Sequence, residues 1–316
     1  MVVQLGVRRM ARGFVFFVAA AMVCFAVASP SLGGTVLLDD TWADGSRTET
    51  NLPTESAVWI SAPGNVTMAA GSLSYTQSGS SQRLHTYFTP DGSPATLAVG
   101  EMLKATIEFV PRVNITSTTS RNFRVGLFHD PTGPRVLADS TNDAGGAGNP
   151  WQDSEGYAVF LPITPGPGNT SPFQINKRNI FTNSSLLGSG TSYTTSPSDG
   201  DQIVWALDEL YTMILEICKV SDTQVDITAT VMDSSGVLST HTVSDDGTTF
   251  GPGSPYDTFD QLAFRFSSNS GTADLLEFRR FRIEIGDKIV IPEPTSLALL
   301  GLAGLALVGV ARRRQS

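Results

Sequence analysis

Cysteine, histidine and cationic residues are all scarce: the 316-residue chain has two cysteines, three histidines, and 21 Lys and Arg against 30 Asp and Glu. Cys24 lies in an N-terminal apolar run that is expected to be removed. That leaves Cys218 alone, so no internal disulfide can form and the thiol reads as a small hydrophobe inside an apolar stretch. His85, His129 and His241 stand singly on or beside predicted strands, with no spacing that joins them as metal ligands. Six of the 21 cationic residues are Arg8, Arg9, Arg12 and Arg312 to Arg314, which leaves 15 against 30 acidic residues and a charge near −15 for the exported part. Phosphate binding needs clustered cations, so nucleic acid is excluded as a partner. An acidic body suits solubility, cation binding or a polysaccharide matrix. Also missing are Gly-x-Ser-x-Gly for an esterase, His-Glu-x-x-His for zinc, and a phosphate loop.

Long apolar runs occur only at the two ends. At the front, three arginines precede Phe14 to Val27 and the small residues Ala26, Ala28 and Ser29. This reads as a secretory signal peptide over 1–28, cut near Ala28 by signal peptidase. At the back, residues 289–316 read VIPEPTSLALLGLAGLALVGVARRRQS after a leading Ile. Thr295 to Ala311 carries no charge, enough for about 25 Å of helix, the lower limit for crossing a bilayer. Arg312, Arg313 and Arg314 would anchor it on the cytoplasmic side, leaving the body at 29–288 outside.

Between those ends, turn-forming clusters alternate with short β-branched and aromatic runs, and helical periodicity is nearly absent. KATIEF at 104–109 puts Ala105, Ile107 and Phe109 on one face of a strand. NFRVGLFH alternates through Phe123, Val125 and Leu127. VDITATV turns at Asp233-Ser234-Ser235-Gly236 into VLSTHTV, a β-hairpin signal. YTMILEICKV is apolar on both faces and predicts a central strand covered on both sides. In LLEFRRFRIEI the apolar phase slips between Phe278 and Phe281, which predicts a β-bulge at Arg279-Arg280. A dozen or more strands without a long helix predict an all-β fold, an antiparallel two-sheet jelly-roll sandwich.

The stretch NDAGGAGNPWQDSEGY at 142–157 is the richest in binding chemistry. Trp151 offers an aromatic face, and Asn142, Asp143, Asp153 and Glu155 offer planar acceptors, the combination that holds a sugar ring. The alternative is that Trp151 plugs one end of the core and the carboxylates are merely solvated. Calcium is the one cofactor these loops suit, with Asp143, Asp153, Asp199, Asp201, Asp245 and Asp246 as candidates. No Asp-x-Asp-x-Asp-Gly loop is present, and turn-forming Asp is the simpler reading. Trp42, Trp59 and Trp205 are assigned to packing. The sequons at Asn65, Asn114, Asn169 and Asn183 are what a Ser/Thr-rich composition produces by chance.

DDTWADGS, GYAVFLPI and the succession YTMILEI, VDITATVMDSSGVLSTHTV and FDQLAFRFSS resemble the concanavalin A-like lectin and glucanase sandwich. The glucanases of that superfamily use Glu-x-Asp-x-x-Glu on a strand, and this chain has no Glu-x-Asp pair. No catalytic residue is expected, and the chain is read as a non-enzyme. Pro292-Glu293-Pro294, the short apolar helix and the terminal arginines resemble the PEP-CTERM sorting signal of Gram-negative, exopolysaccharide-producing bacteria. That resemblance implies an exosortase-type transpeptidase that cuts near Pro292 to Pro294. It implies transient inner-membrane anchoring and delivery to the cell surface or extracellular matrix. The expected role is association with surface polysaccharide through a lectin-like sandwich. The rivals are a displayed polysaccharide hydrolase or lyase, and a purely structural or adhesive coat protein.

Overall fold

The computed structural model describes residues 34–77, 82–116, 120–132, 135–139, 151, 153–165, 170–179, 186–188, 192–266 and 272–288. The signal peptide expected at 1–28, the helix expected at 295–311 and the tripeptide Pro292 to Pro294 lie outside these residues. Seventeen strands are present among them. In chain order the first six are β1 (Thr35–Asp40), β2 (Val58–Ile60), β3 (Val66–Ala69), β4 (Ser72–Thr76), β5 (Gln82–Tyr87) and β6 (Ala95–Thr96). Then come β7 (Glu101–Ile115), β8 (Phe123–His129), β9 (Glu155–Leu161), β10 (Gln174–Arg178), β11 (Tyr193–Thr195) and β12 (Tyr211–Ser221). The last are β13 (Gln224–Asp233), β14 (Gly236–Asp245), β15 (Thr258–Phe259), β16 (Gln261–Phe266) and β17 (Ala273–Asp287). The helical structure among the described residues is a 3₁₀ turn at Pro63–Asn65.

Two large antiparallel sheets hold nearly all of these strands. The larger has eight, in the order β14-β13-β12-β7-β17-β4-β3, with β1 also on β17. The second has seven, in the order β11-β10-β9-β8-β16-β5-β2, and β15 pairs with β6 separately. Their inner faces meet through aromatic rings. Phe264 stacks on Phe281 at 4.7 Å, and Phe266 stacks on Tyr75 at 4.4 Å. The alternation read from the sequence is what builds this layer, because strand side chains point to opposite faces in turn. Ala105, Ile107 and Phe109, then Phe123, Val125 and Leu127, then Val225, Ile227, Ala229 and Val231 all turn into it.

The hairpin forms where expected, with Asp233 opposite Gly236 and two residues at its tip. The β17 slip is a bulge. Phe278 faces Phe109 and Arg280 faces Glu108, so Arg279 is the extra residue that returns Phe281 to the core. One expectation fails. β12 is central, between β7 and β13, but Thr212, Ile214 and Glu216 on its second face are only half-buried. Among the described residues no layer covers the larger sheet there, and Ile214 lies in a row with Thr106 and Thr230.

The second sheet is buried on both sides. On its outer face Phe128, Trp151, Ala158, Phe160, Leu186, Leu187, Tyr193 and Ala263 form a separate apolar cluster. The cover is made by irregular segments, which explains why no periodicity announced it.

Candidate functional site

A cavity of ≈ 410 Å³ opens beside the starts of β9 and β15 and the end of β10. Glu155, Lys177, Asn179, Tyr256 and Asp257 line it, together with the loop Pro252–Pro255 and Thr258. Glu155 reaches the rim because of Gly156. That residue has φ +151, and a Cβ there would lie 2.1 Å from the Leu127 carbonyl oxygen, so only glycine lets β9 approach β8 so closely. His129 is the cross-strand partner of Glu155.

The floor is a buried ion pair. Lys177 Nζ lies 2.7 Å from Asp245 Oδ2, with side chains only 2% and 0% exposed. Tyr157 donates its hydroxyl to the same Asp245 oxygen at 2.6 Å and accepts from the Tyr256 amide at 2.9 Å. Lys177 also donates to the Ser254 carbonyl at 2.9 Å and sits 4.9 Å from the Tyr256 ring centroid. The loop that carries Tyr256 is therefore tied down at Ser254 and at its own amide. Asn179 donates to Phe250 O at 3.1 Å and accepts from Thr194 Oγ1 at 2.9 Å. Asp257 accepts from Lys219 Nζ at 2.7 Å. Fixed polar groups of this kind cost no reorganisation when a ligand arrives.

The electrostatics follow burial. Burial lifts the Glu155 carboxyl above its ordinary range, against the pull of His129, with Asp257 adding to the rise. His129 is held above the usual imidazole value by Asp260, 3.7 Å away, with Glu155 and Asp130 adding to it. Burial pushes the Tyr256 hydroxyl up, so it stays protonated and able to donate. The result is an aromatic face with carboxylate acceptors and a fixed ammonium, which suits a hydroxyl-rich ligand.

Of the sequence candidates, Glu155 lines this cavity. Asp153 lies two residues before it and accepts from the Thr132 hydroxyl. Asn142 and Asp143 lie outside the described residues. Trp151 is only 1% exposed, with the Arg83 guanidinium 4.1 Å above its ring and His85 edge-on at 4.8 Å. Arg178 donates to the Trp151 and Ser154 carbonyls. The buried ring packs in the apolar cluster on the outer face of the second sheet, not at an end of the core between the sheets. Burial, with Arg83 beside it, holds His85 well below its ordinary pKa. Lys177, Asn179, Tyr256 and Asp257 were not singled out by sequence reasoning. Ser254-Pro255-Tyr256-Asp257 did show a turn with an aromatic, the one signal that pointed there.

Calcium finds no fit among the described residues, where no group of three or more His, Cys, Asp or Glu is placed to hold a metal ion. Asp245 is committed to Lys177 and Tyr157, and Asp246 caps its own turn through the Thr248 amide and hydroxyl.

The chain's ending bears on where this cavity is delivered. Residues 290–315 match the PEP-CTERM protein-sorting motif. The PEP-CTERM motif implies an exported, envelope-associated protein that is processed by an exosortase. No curated protein matches the chain. Among solved structures, lectin II from Ulex europaeus is similar at 10% identity and TM-score 0.41, over 76% of this chain and 97% of that one. Arcelin-5, a lectin-like defence protein from Phaseolus vulgaris, is similar at 10% identity and TM-score 0.43, over 81% and 99%. The VIP36 exoplasmic/lumenal domain, solved with Ca²⁺ and Man2 bound, is similar at 10% identity and TM-score 0.43, over 82% and 91%.

Proposed function

We propose that the protein is a non-enzymatic component of the cell surface or extracellular matrix of a Gram-negative bacterium, which associates with polysaccharide through the Tyr256 cavity. In this reading the N-terminal signal is removed at export. The helix at 295–311 and Arg312 to Arg314 hold the chain in the inner membrane until exosortase cuts near Pro292 to Pro294. The observation that carries the destination is the match to the sorting motif at 290–315. The aromatic ring of Tyr256 beside Glu155, Asp257, Asn179 and Lys177 supports the ligand class. Glycan arrays followed by calorimetry on the best ligands test it: Tyr256→Ala should abolish binding in protein that still melts in one cooperative transition. Failure to bind any glycan would remove the lectin reading and leave the sorting reading intact. For the latter, intact mass of surface-located protein should lack 295–316.

One observation favours a second reading, a displayed polysaccharide hydrolase or lyase. Glu155, whose carboxyl is lifted above its ordinary range by burial, lines the cavity together with Asp257, and a carboxyl so raised can serve as a general acid. Release of reducing ends or of unsaturated products from a polysaccharide panel, lost in Glu155→Gln, would establish it. A purely structural coat protein would show neither binding nor turnover.

A further inference from the structure

Trp59 departs from the other tryptophans. Trp42, Trp151 and Trp205 are 1%, 1% and 2% exposed, whereas Trp59 on β2 is only half-buried. It lies opposite His85 of β5, at the edge of the second sheet, and forms one wall of a ≈ 230 Å³ cavity. Leu52, Tyr87, Pro90 and Leu137 complete the apolar walls, and Leu137 is 61% exposed. Thr50, Thr89, Asp91 and Arg135 supply the polar side of the same cavity.

The polar side is built. Arg135 lies 4.4 Å above the Tyr87 ring and donates to Thr89 O at 2.6 Å, Pro90 O at 3.1 Å and Asp260 Oδ2 at 3.2 Å. Its side chain is 9% exposed, yet its Nε has no hydrogen-bond acceptor among the described residues, and Asp91 Oδ1 approaches only as an ion pair at 3.4 Å. The Asp91 side chain is 82% exposed. Tyr87 accepts from the Val136 amide at 3.1 Å, which leaves its hydroxyl proton available.

We infer that this cavity is a second glycan subsite, which takes one hexopyranose unit with the apolar face of the sugar on Trp59 and its hydroxyls on Asp91 and Arg135. The inference rests on the reading of the protein as a glycan binder, and it makes the chain bivalent, able to bridge polysaccharide strands. The volume lies below the roughly 300–1,000 Å³ of a drug-sized pocket, which suits a single ring. A half-exposed indole beside a charged acceptor and a guanidinium donor matches a ring with one apolar face and a hydroxyl edge better than it matches an apolar peptide. A neighbouring cavity of ≈ 280 Å³ shares Leu52, Thr89 and Pro90 and gives the adjoining sugar unit somewhere to lie.

The test uses the protein labelled with ¹⁵N at its indoles, titrated with hexasaccharides of glucose, mannose, galactose and N-acetylglucosamine. Trp59→Phe identifies the Trp59 signal, and the three buried indoles serve as internal controls. The Trp59 signal is expected to shift saturably with at least one probe, and to do so equally in Tyr256→Ala. Leu137→Arg, which fills the cavity from an exposed position, should abolish the shift with the fold intact. Trp59→Ala should weaken binding at this site by about two- to tenfold, the scale of one aromatic contact. A Trp59 signal unmoved by probes that bind the Tyr256 cavity overturns the second subsite and spares the first. Silence at both places overturns both.

Discussion

The outer faces of the two sheets carry charge in opposite ways. On the larger sheet the face is wet. Thr228 pairs with Thr242 at 2.9 Å and Thr230 with Thr240 at 3.0 Å, while half-exposed Asp39 takes Arg280 at 2.6 Å and Arg282 at 2.5 Å. On the second sheet the charge is covered. Arg265 stands between Arg83 and Arg124 on adjacent strands, and the backbone above them accepts hydrogen bonds from Arg265 at Leu186 O and from Arg124 at Leu187 O. Burial and the nearby Arg265 bring Arg124 down to about 10. Exposed pairs are weakened by water and contribute little, whereas covered polar groups are held in fixed directions. The Trp59 cavity borders this covered face, where irregular segments leave gaps that a bare sheet lacks, whereas the Tyr256 cavity is lined by Lys177, whose partner Asp245 belongs to β14 of the larger sheet.

Removing charge from the buried pair between the two sheets should cost the most, and removing it from the wet face far less. Asp245→Asn strands the Lys177 ammonium, and about 3–5 kcal/mol of unfolding free energy should be lost in urea titrations. Asp39→Asn on the wet sheet should cost no more than about 1 kcal/mol. Equal costs would break the contrast. Trp151→Ala should be in the same upper range, about 3–5 kcal/mol, since it empties a buried site. Loss of sugar binding without loss of stability in that variant would restore Trp151 as a ligand residue.

A smaller effect separates the faces by pH. The His129 pKa is raised in the folded state, so its stabilising pairing with Asp260 is fully present below about pH 6.5 and fades as pH rises through the folded value. His129→Gln should therefore destabilise at about pH 5.5 and be nearly neutral at about pH 8.5. Asp39 is held below its ordinary value by Arg280, so its contribution is present above about pH 4 and is lost as pH falls. The two variants should show opposite pH slopes in thermal melts. Smallest of all, Thr230→Val should change stability by roughly 0.2–1 kcal/mol, the worth of one cross-strand pair.

The inner layer was readable residue by residue. Phe123, Val125 and Leu127 announced their face by alternation, and the slip between Phe278 and Phe281 announced the Arg279 bulge. Glu155 was found because it follows a Gly-rich, aromatic-bearing stretch. Where Trp151 packs was not legible, because a tryptophan at a loop end has the same local signature whether it plugs or binds. Tyr256 and Lys177 escaped notice because they lie 79 residues apart by number and carry no shared motif. The half-buried place of Trp59 on an edge strand was not legible, because an edge strand and a central strand read alike.

What the sequence determined by itself is what short-range chemistry determines. Period-two alternation sets strands and their inward faces, since successive side chains point to opposite sides. A tripeptide, an apolar run and terminal arginines specify a sorting motif, since processing reads a linear segment. The tertiary structure decided which strand became an edge, which sheet was covered, and which distant side chains met in a cavity. Those outcomes depend on pairings between strands far apart in the chain, and no local pattern encodes who the neighbour will be.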